Sequence, residues 1–214
     1  MKKDIGIICD LDGVLLDSEA DLSWLENASI KTLKEHGVEV STTNLQKIYP
    51  LNVTNFKTNV SGLGLDVAYF WETRNRNYIE AKLEAMKTRT IKPFPDVEDL
   101  YRLTPYYQLG IISNSPQEIV DAFIKVFHYH DLFLHGIGRS SHLEAIDTLK
   151  PHPYLFKQFI KRSPASQYIY IGDTEKDRQF AKNTDMTFQL LSRDKTAVDG
   201  WRSLTEIVNF LTNE

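Results

Sequence analysis

Cysteine is almost missing from this chain. Cys9 stands alone among 214 residues, which excludes an intramolecular disulfide and any zinc site built from several thiolates. Long apolar runs are missing too. No stretch approaches the roughly 18 residues of a membrane-spanning helix. The basic start, Met1-Lys2-Lys3, leads into an apolar stretch that Asp10 and Asp12 cut short, so it makes a poor signal peptide. Nor is there an excess of positive charge. With Lys+Arg 25 against Asp+Glu 29 the formal net charge is −4, which gives no field to favour nucleic acid or anionic lipid. Repeats and low-complexity segments are absent. These gaps lead to the expectation of a cytoplasmic protein with no nucleic-acid and no membrane partner. The 42% hydrophobic content and the length suffice for a core without disulfide or metal staples, as one domain or one domain with an insertion.

The texture alternates. Ile5-Gly6-Ile7-Ile8-Cys9 is nearly continuous in apolar residues, the mark of a strand buried on both faces. Strand patterns return at Tyr107–Ile112, at Gln167–Ile171 and at Met186–Leu191, with a weaker one at Leu132–Ile137. Helical stripes separate them: Ile119, Val120, Phe123, Ile124 and Phe127; then Leu155, Phe156, Phe159 and Ile160; then Trp201, Leu204, Val208 and Leu211. Such alternation predicts an α/β fold, a parallel sheet with helices on both faces. One interval is out of proportion. From Cys9 to Tyr107 the chain runs far beyond the dozen or so residues that a βαβ crossover needs. The surplus is mostly helical, with stripes at Leu22, Leu25, Ala28 and Leu33 and at Val67, Phe70, Arg74, Tyr78, Ala81 and Ala85, and a helix end at Gly37. Tyr49 to Leu65 reads as loops and short helices. A helical domain of residues 17–90, inserted into a core of 1–16 and 91–214, accounts for the interval.

Open α/β sheets carry their sites at the carboxyl ends of strands. The residues found there are Asp10 and Asp12, then Ser113, Asn114 and Ser115, then Asp173 and Asp177, with Lys150 ahead of a further helix. Clustered carboxylates repel one another unless a cation sits among them, and hard oxygen ligands suit Mg²⁺. Asp10 and Asp173 are the best ligand candidates. Ser115-Pro116-Gln117-Glu118 reads as an N-cap, a proline at the first helical position and a capping-box glutamate. A helix starting there would aim free N–H groups at the same rim. Together with Lys150 this environment suits a phosphoryl group. A carboxylate such as Asp10 can attack phosphorus, and a second such as Asp12 can move the proton.

At these residues the chain resembles the haloacid dehalogenase superfamily, in the helical-cap phosphatase branch that includes phosphoglycolate phosphatases and β-phosphoglucomutases. Asp10-Leu11-Asp12-Gly13-Val14-Leu15-Leu16-Asp17-Ser18, Ile111-Ile112-Ser113-Asn114, Lys150-Pro151-His152-Pro153 and Gly172-Asp173-Thr174-Glu175-Lys176-Asp177 resemble its four motifs, in order. The resemblance implies a Rossmann-like three-layer core with an inserted helical cap, and a Mg²⁺-dependent phosphatase of a small phosphorylated metabolite that works through an aspartyl-phosphate. Asp10 is then the nucleophile and a metal ligand, and Asp12 the general acid/base with its backbone carbonyl on the metal. Ser113, Asn114 and Lys150 hold the phosphate, Asp173 ligates Mg²⁺, and Asp177 supports the metal shell. Two departures stand in the sequence: Asp96 where the family usually has Gly, and Thr184-Asp185 where Ala-Gly is common.

Each motif alone has a bland reading: a turn, a helix cap, a solvated lysine. Their order and spacing carry the inference. Cys9 reads as a small buried hydrophobe, and the six histidines show no metal spacing. Asn52, Asn55 and Lys57, in the polar part of the insert, are the candidates for reading the substrate, with loop solvation as the competing explanation. A phosphosugar mutase of the β-phosphoglucomutase kind shares every motif. A phosphoacceptor signalling module is disfavoured by the large helical insert, and an inactive binding module by the intact pair Asp10 and Asp12. Monomer and homodimer both stay open.

Overall fold

The computed structural model describes residues 4–193 and 199–213. Its frame is a five-stranded parallel sheet, with β1 Ile5–Cys9, β2 Gln108–Pro116, β3 Gly136–Arg139, β4 Gln167–Gly172 and β5 Thr187–Leu190 in the order β3-β2-β1-β4-β5. The near-continuous apolar run of β1 places it in the centre, flanked on both sides. Its side chains alternate between two cores, as the twofold period of a strand demands. Ile7 and Cys9 join Leu109, Ile111 and Ile171 on one face; Ile8 joins Ile112 and Tyr170 on the other.

Four helices complete the three layers. On the first face pack α5 (Gln117–Val126) and α8 (Leu204–Thr212), with a 3₁₀ segment at Pro95–Leu103. On the second pack α6 (Tyr154–Arg162) and α7 (Glu175–Asn183). The remaining four lie between β1 and β2: α1 (Ser23–Glu35), α2 (Thr42–Lys47), α3 (Val53–Ser61) and α4 (Val67–Lys87). The polar stretch around Asn52 thus folds largely as α3. Asn52 itself caps it, its side chain accepting from Asn55 N at 2.8 Å. The end of α1 is as expected. Gly37 has φ +66°, and the N–H groups of Gly37 and Val38 return to the carbonyls of Lys34 and Leu33.

The chain leaves and re-enters the core at one place. Leu16 bridges Pro93 in antiparallel sense, Asp17 N donates to Lys92 O and Phe94 N to Leu15 O. The inserted helices have a core of their own around Leu33, Phe56, Val60, Phe70 and Trp71, into which Leu143 and Ile146 reach from the α/β frame. The far end of α4, at Ala85 and Met86, packs instead with the main core, as does Trp24 of α1.

Two local expectations differ from what is observed. The third strand begins at Gly136 rather than Leu132, because Leu132 and Phe133 are taken into a turn that bonds back to Tyr129 O. And β2 does not stop at Ile112. It continues through Ser115 to Pro116, so Ser115 is not the N-cap of α5: that helix starts with no side-chain cap, and Glu118 accepts instead from Ser141 Oγ. The Ser115 hydroxyl is committed elsewhere, to Asp12.

Candidate active site

The register of the three central strands sets the site. Cys9 pairs with Ile111 on one side and Ile171 on the other. The residues just beyond, Asp10, Ser113 and Asp173, therefore emerge together at the carboxyl rim. Asp10 is 8% exposed. Its backbone N–H donates to Ile171 O, and its Oδ1 accepts from Leu11 N at 2.7 Å. Oxygens of Asp10, Asp173 and Asp177 lie within 4.8 Å of one another.

Lys150 is threaded into this acidic cluster. Its Nζ lies 2.9 Å from Asp10 Oδ1, 2.6 Å from Asp177 Oδ1 and 2.8 Å from the Tyr170 hydroxyl, all in buried surroundings. Asn114 fixes the lysine from the backbone side, Oδ1 accepting from Lys150 N at 2.8 Å. Asp177 has both oxygens occupied, one by Lys150 and Tyr170, the other by the N–H and hydroxyl of Thr174 in the capping box that opens α7. Ser113 is 1% exposed; its Oγ accepts from Ser115 N at 3.1 Å, which leaves its hydroxyl proton to donate. Two glycines let the carboxylates come this close. A Cβ at Gly172 would meet Asp177 Cβ at 2.4 Å, and one at Gly13, where φ is +80°, would meet Asp173 Oδ2.

Asp12 turns away from the cluster, toward the inserted helices. Its Oδ1 accepts from Lys82 Nζ of α4 at 2.6 Å and its Oδ2 from Ser115 Oγ at 2.8 Å. Lys82 is 1% exposed, also donates to Ser115 Oγ at 3.0 Å, and stands over the Trp24 ring. The turn behind Asp12 is braced from below. Arg193 donates to Gly13 O and Val14 O while its guanidinium forks onto Asp96 at 3.0 Å. Asp96, the departure from the resembled motif, is the partner of that arginine and also accepts from Leu204 N.

The two carboxylates of the first motif sit in opposite electrostatic settings. Burial drives the Asp10 carboxyl up, Lys150 pulls it back, and Asp177 and Asp12 push it up again, to about 7. Asp173 rises to about 6 through burial and the nearby Asp177. Burial would also raise Asp12, yet the charge and hydrogen bond of Lys82, with hydrogen bonds from Ser115 and Ser18, bring it below the ordinary carboxylate range.

Above the rim lies a cavity of about 790 Å³ between the inserted helices and the frame, lined by Asn52, Arg74, Tyr78, Asn114, Arg139 and Lys150 among others. Asn52 thus faces the cavity. Asn55 and Lys57 do not line it: Asn55 Oδ1 accepts from Asn59, and Lys57 sits on the surface near Glu144. Sequence reading had missed Lys82, Tyr170, Arg74 and Arg139 as members of this region, and had given Ser115, placed at the rim, the role of a helix cap. A signal was present for two of them: Arg74, Tyr78 and Lys82 recur every fourth residue along α4, so one face of a mostly buried helix carries three polar groups.

Comparison with known proteins agrees with this architecture. A curated phosphoglycolate phosphatase of Psychrobacter arcticus is 25% identical over 190 residues, covering 84% of this chain and 80% of its own length. One from Aliivibrio fischeri is 24% identical over 203 residues, covering 85% and 82%. The crystal structure of CbbY from Rhodobacter sphaeroides in complex with phosphate superimposes with a TM-score of 0.68 at 14% identity, over 95% of this chain and 96% of that one, which establishes a shared fold. The profile of the haloacid dehalogenase-like hydrolases matches residues 7–191, most of the chain, and this protein belongs to that family.

Proposed function

We propose that the protein is a phosphatase that hydrolyses a small phosphomonoester through a phosphorylated Asp10. The observation that carries this reading is the placement of two carboxylates two residues apart in opposite settings, Asp10 against Lys150 and the acidic cluster, Asp12 against Lys82 and Ser115. One group is set to meet phosphorus, the other to move a proton. The names of the curated relatives support the same reaction class.

In the first half-reaction an Asp10 oxygen attacks phosphorus, the bond from phosphorus to the ester oxygen breaks, and Asp12 gives that oxygen its proton. In the second, water attacks the phosphorus of the acyl phosphate, Asp12 takes the water's proton, and the bond to Asp10 breaks to release inorganic phosphate. The ionised Asp12 held by Lys82 and Ser115 is the form this second half uses, and the proton it takes from water here is the one it gives to the ester oxygen in the next turnover. Ser113 and Lys150 hold the phosphoryl oxygens, Asn114 fixes Lys150, and the inserted helices, residues 17–90, act as the cap that keeps bulk water out.

The residues fit Mg²⁺. Asp10 and Asp173 offer hard oxygen ligands with Asp177 behind them, and Asp173 Oδ1 is buried without a hydrogen-bond partner among the described residues. When bound, the ion offsets the gathered negative charge and polarises the phosphoryl group. The test is phosphate release from an aryl phosphate by the purified protein. Turnover should vanish on chelation and return with added Mg²⁺; chelator-resistant turnover by metal-free protein would sink the metal assignment.

A further inference from the structure

The cavity contains two charges that the reaction above does not use. Arg74, on α4, and Arg139, at the end of β3, are 9% and 6% exposed. A guanidinium taken out of water is expected to have a carboxylate against it. Neither has one within ion-pair distance among the described residues. Arg74 donates through Nε to Ile48 O, and among the described residues its two Nη groups have no hydrogen-bond partner. Arg139 donates to Ser140 O and to Asn75 Oδ1 at 2.7 Å. Both lie over the Trp71 ring, with 5.7 Å from Arg74 Cζ to the centroid and 5.3 Å from Arg139 Cζ. They stand close enough to repel. Burial first, then the charge of Arg139, lowers Arg74 to about 10.

The acidic groups nearby are already engaged. Asp147 borders the cavity, but it is exposed and its Oδ1 accepts from Val53 N at the start of α3. Glu118, the carboxylate that acts on Arg139, is exposed and accepts from Ser141 Oγ. Lys150, at the other end of the same cavity, is matched by Asp10 and Asp177. Lys176, also on the wall, is exposed to solvent, so the buried imbalance is confined to Arg74 and Arg139. Asn75, Trp71 and the Ile48 carbonyl hold them in place, so this is a built site rather than a pair of surface cations.

We infer that Arg74 and Arg139 form a second anion-binding subsite, and that the substrate is a phosphomonoester bearing another anionic group, a carboxylate or a second phosphate, at the end remote from Asp10. The inference rests on the phosphatase reading and refines it. A forked guanidinium pairs with either anion through two parallel hydrogen bonds, and such an anion would supply the counter-charge the two arginines lack. The same cavity is lined by both arginines and by Lys150, so one space joins this subsite to the lysine.

The test compares kcat/KM of the wild-type protein, with Mg²⁺ present, on three kinds of probe. These are p-nitrophenyl phosphate, with no second anion; 2-phosphoglycolate, with a carboxylate; and fructose 1,6-bisphosphate, with a second phosphate. One of the two doubly anionic probes is expected to exceed the aryl phosphate by tenfold or more, and the one that does identifies the anion. In Arg74→Met and Arg139→Met that preference should shrink by at least tenfold, while the Arg→Lys variants, which keep the charge and lose the fork, should fall between. A wild-type protein that hydrolyses the aryl phosphate as well as either anionic probe overturns the subsite, and this arm needs no variant to fold. A preference that persists in both Met variants overturns it equally. Release from none of the probes would instead defeat the phosphatase reading on which the subsite depends.

Discussion

The floor and the roof of the site are built differently. The floor gathers Asp10 and Asp173, each one step past a strand end, with Ser113 from within β2, brought together by strand register. The roof, Arg74, Tyr78 and Lys82, comes from one face of a single helix, and each member is polar where the helix is buried or half-buried. A sheet edge gathers ligands because every parallel strand ends at the same level. A helix gathers them only by repeating every turn. The floor can therefore be fixed by short motifs, while the roof depends on the turn-by-turn repeat of one long helix.

This contrast breaks most sharply at Asp10. Asp10→Asn keeps the shape of the floor and removes the attacking charge. Phosphate release should fall by about 10⁴-fold or more, as expected when a nucleophile is lost, with the circular dichroism spectrum unchanged. Substantial residual turnover would mean the floor serves only to bind.

Lys82→Met tests whether the roof takes part in the chemistry of the floor. It strips Asp12 of its buried cationic partner and leaves the carboxylate with the Ser115 and Ser18 hydroxyls alone. Removing one partner of a fully buried pair costs about 3–5 kcal/mol; Asp12 keeps 32% of its side chain exposed, so a smaller loss is expected, still visible as a drop in the chemical-denaturation midpoint. Turnover should fall on every substrate alike, because the proton transfer proposed for Asp12 serves all of them, in contrast to substitutions at Arg74. A substrate-selective loss would place Lys82 with the specificity residues instead.

Most of the floor was legible in the sequence because its motifs are contiguous: Asp10 with Asp12, Ser113 with Asn114, Asp173 with Asp177. The parallel sheet was legible from alternating strand and helix texture, and the insertion from the length between Cys9 and Tyr107. The roof was not, since Lys82 resembles any helical lysine until α4 is seen to turn it inward. Ser115 was misread for a physical reason. A serine before proline resembles an N-cap, but β2 continues past it and its hydroxyl finds a stronger acceptor in Asp12. The two departures from the resembled motifs prove structural. Asp96 anchors Arg193, and Asp185 takes φ +55°, the left-handed conformation that a glycine would adopt more easily.

A smaller contrast lies between Asp173 of the floor and Asp12, which faces the roof. A carboxyl whose folded pKa is raised favours folding fully only below its unfolded value, and the benefit is lost as pH rises through the folded value. For Asp173 that window runs from 3.8 to about 6, so at pH 7.5 the metal-free fold carries an unfavourable charge. Asp173→Asn should raise the melting temperature of metal-free protein at that pH, by a few degrees. Asp12 is shifted the other way: its pairing favours folding above the ordinary carboxylate pKa and is lost on acidification. Asp12→Asn should lower the melting temperature at the same pH. Equal shifts of one sign would mean that burial, not the partner, governs both.

The smallest effects should fall on the outside of the roof, where Asn52 and Lys57 lie five residues apart and differ in kind. Asn52 faces the cavity and caps α3. Asn52→Ala should cost about 1 kcal/mol, the usual worth of an N-cap, and alter KM for substrates that reach that wall. Lys57 is half exposed, and among the described residues it pairs with Glu144 at 3.9 Å, itself 74% exposed. An exposed pair at that distance contributes between nothing and about 1 kcal/mol. Lys57→Ala should therefore leave kcat/KM unchanged across all substrates and stability within about 0.5 kcal/mol. A change in substrate preference in that variant would extend the reading surface beyond the cavity wall, onto a face of α3 that the geometry assigns to solvent.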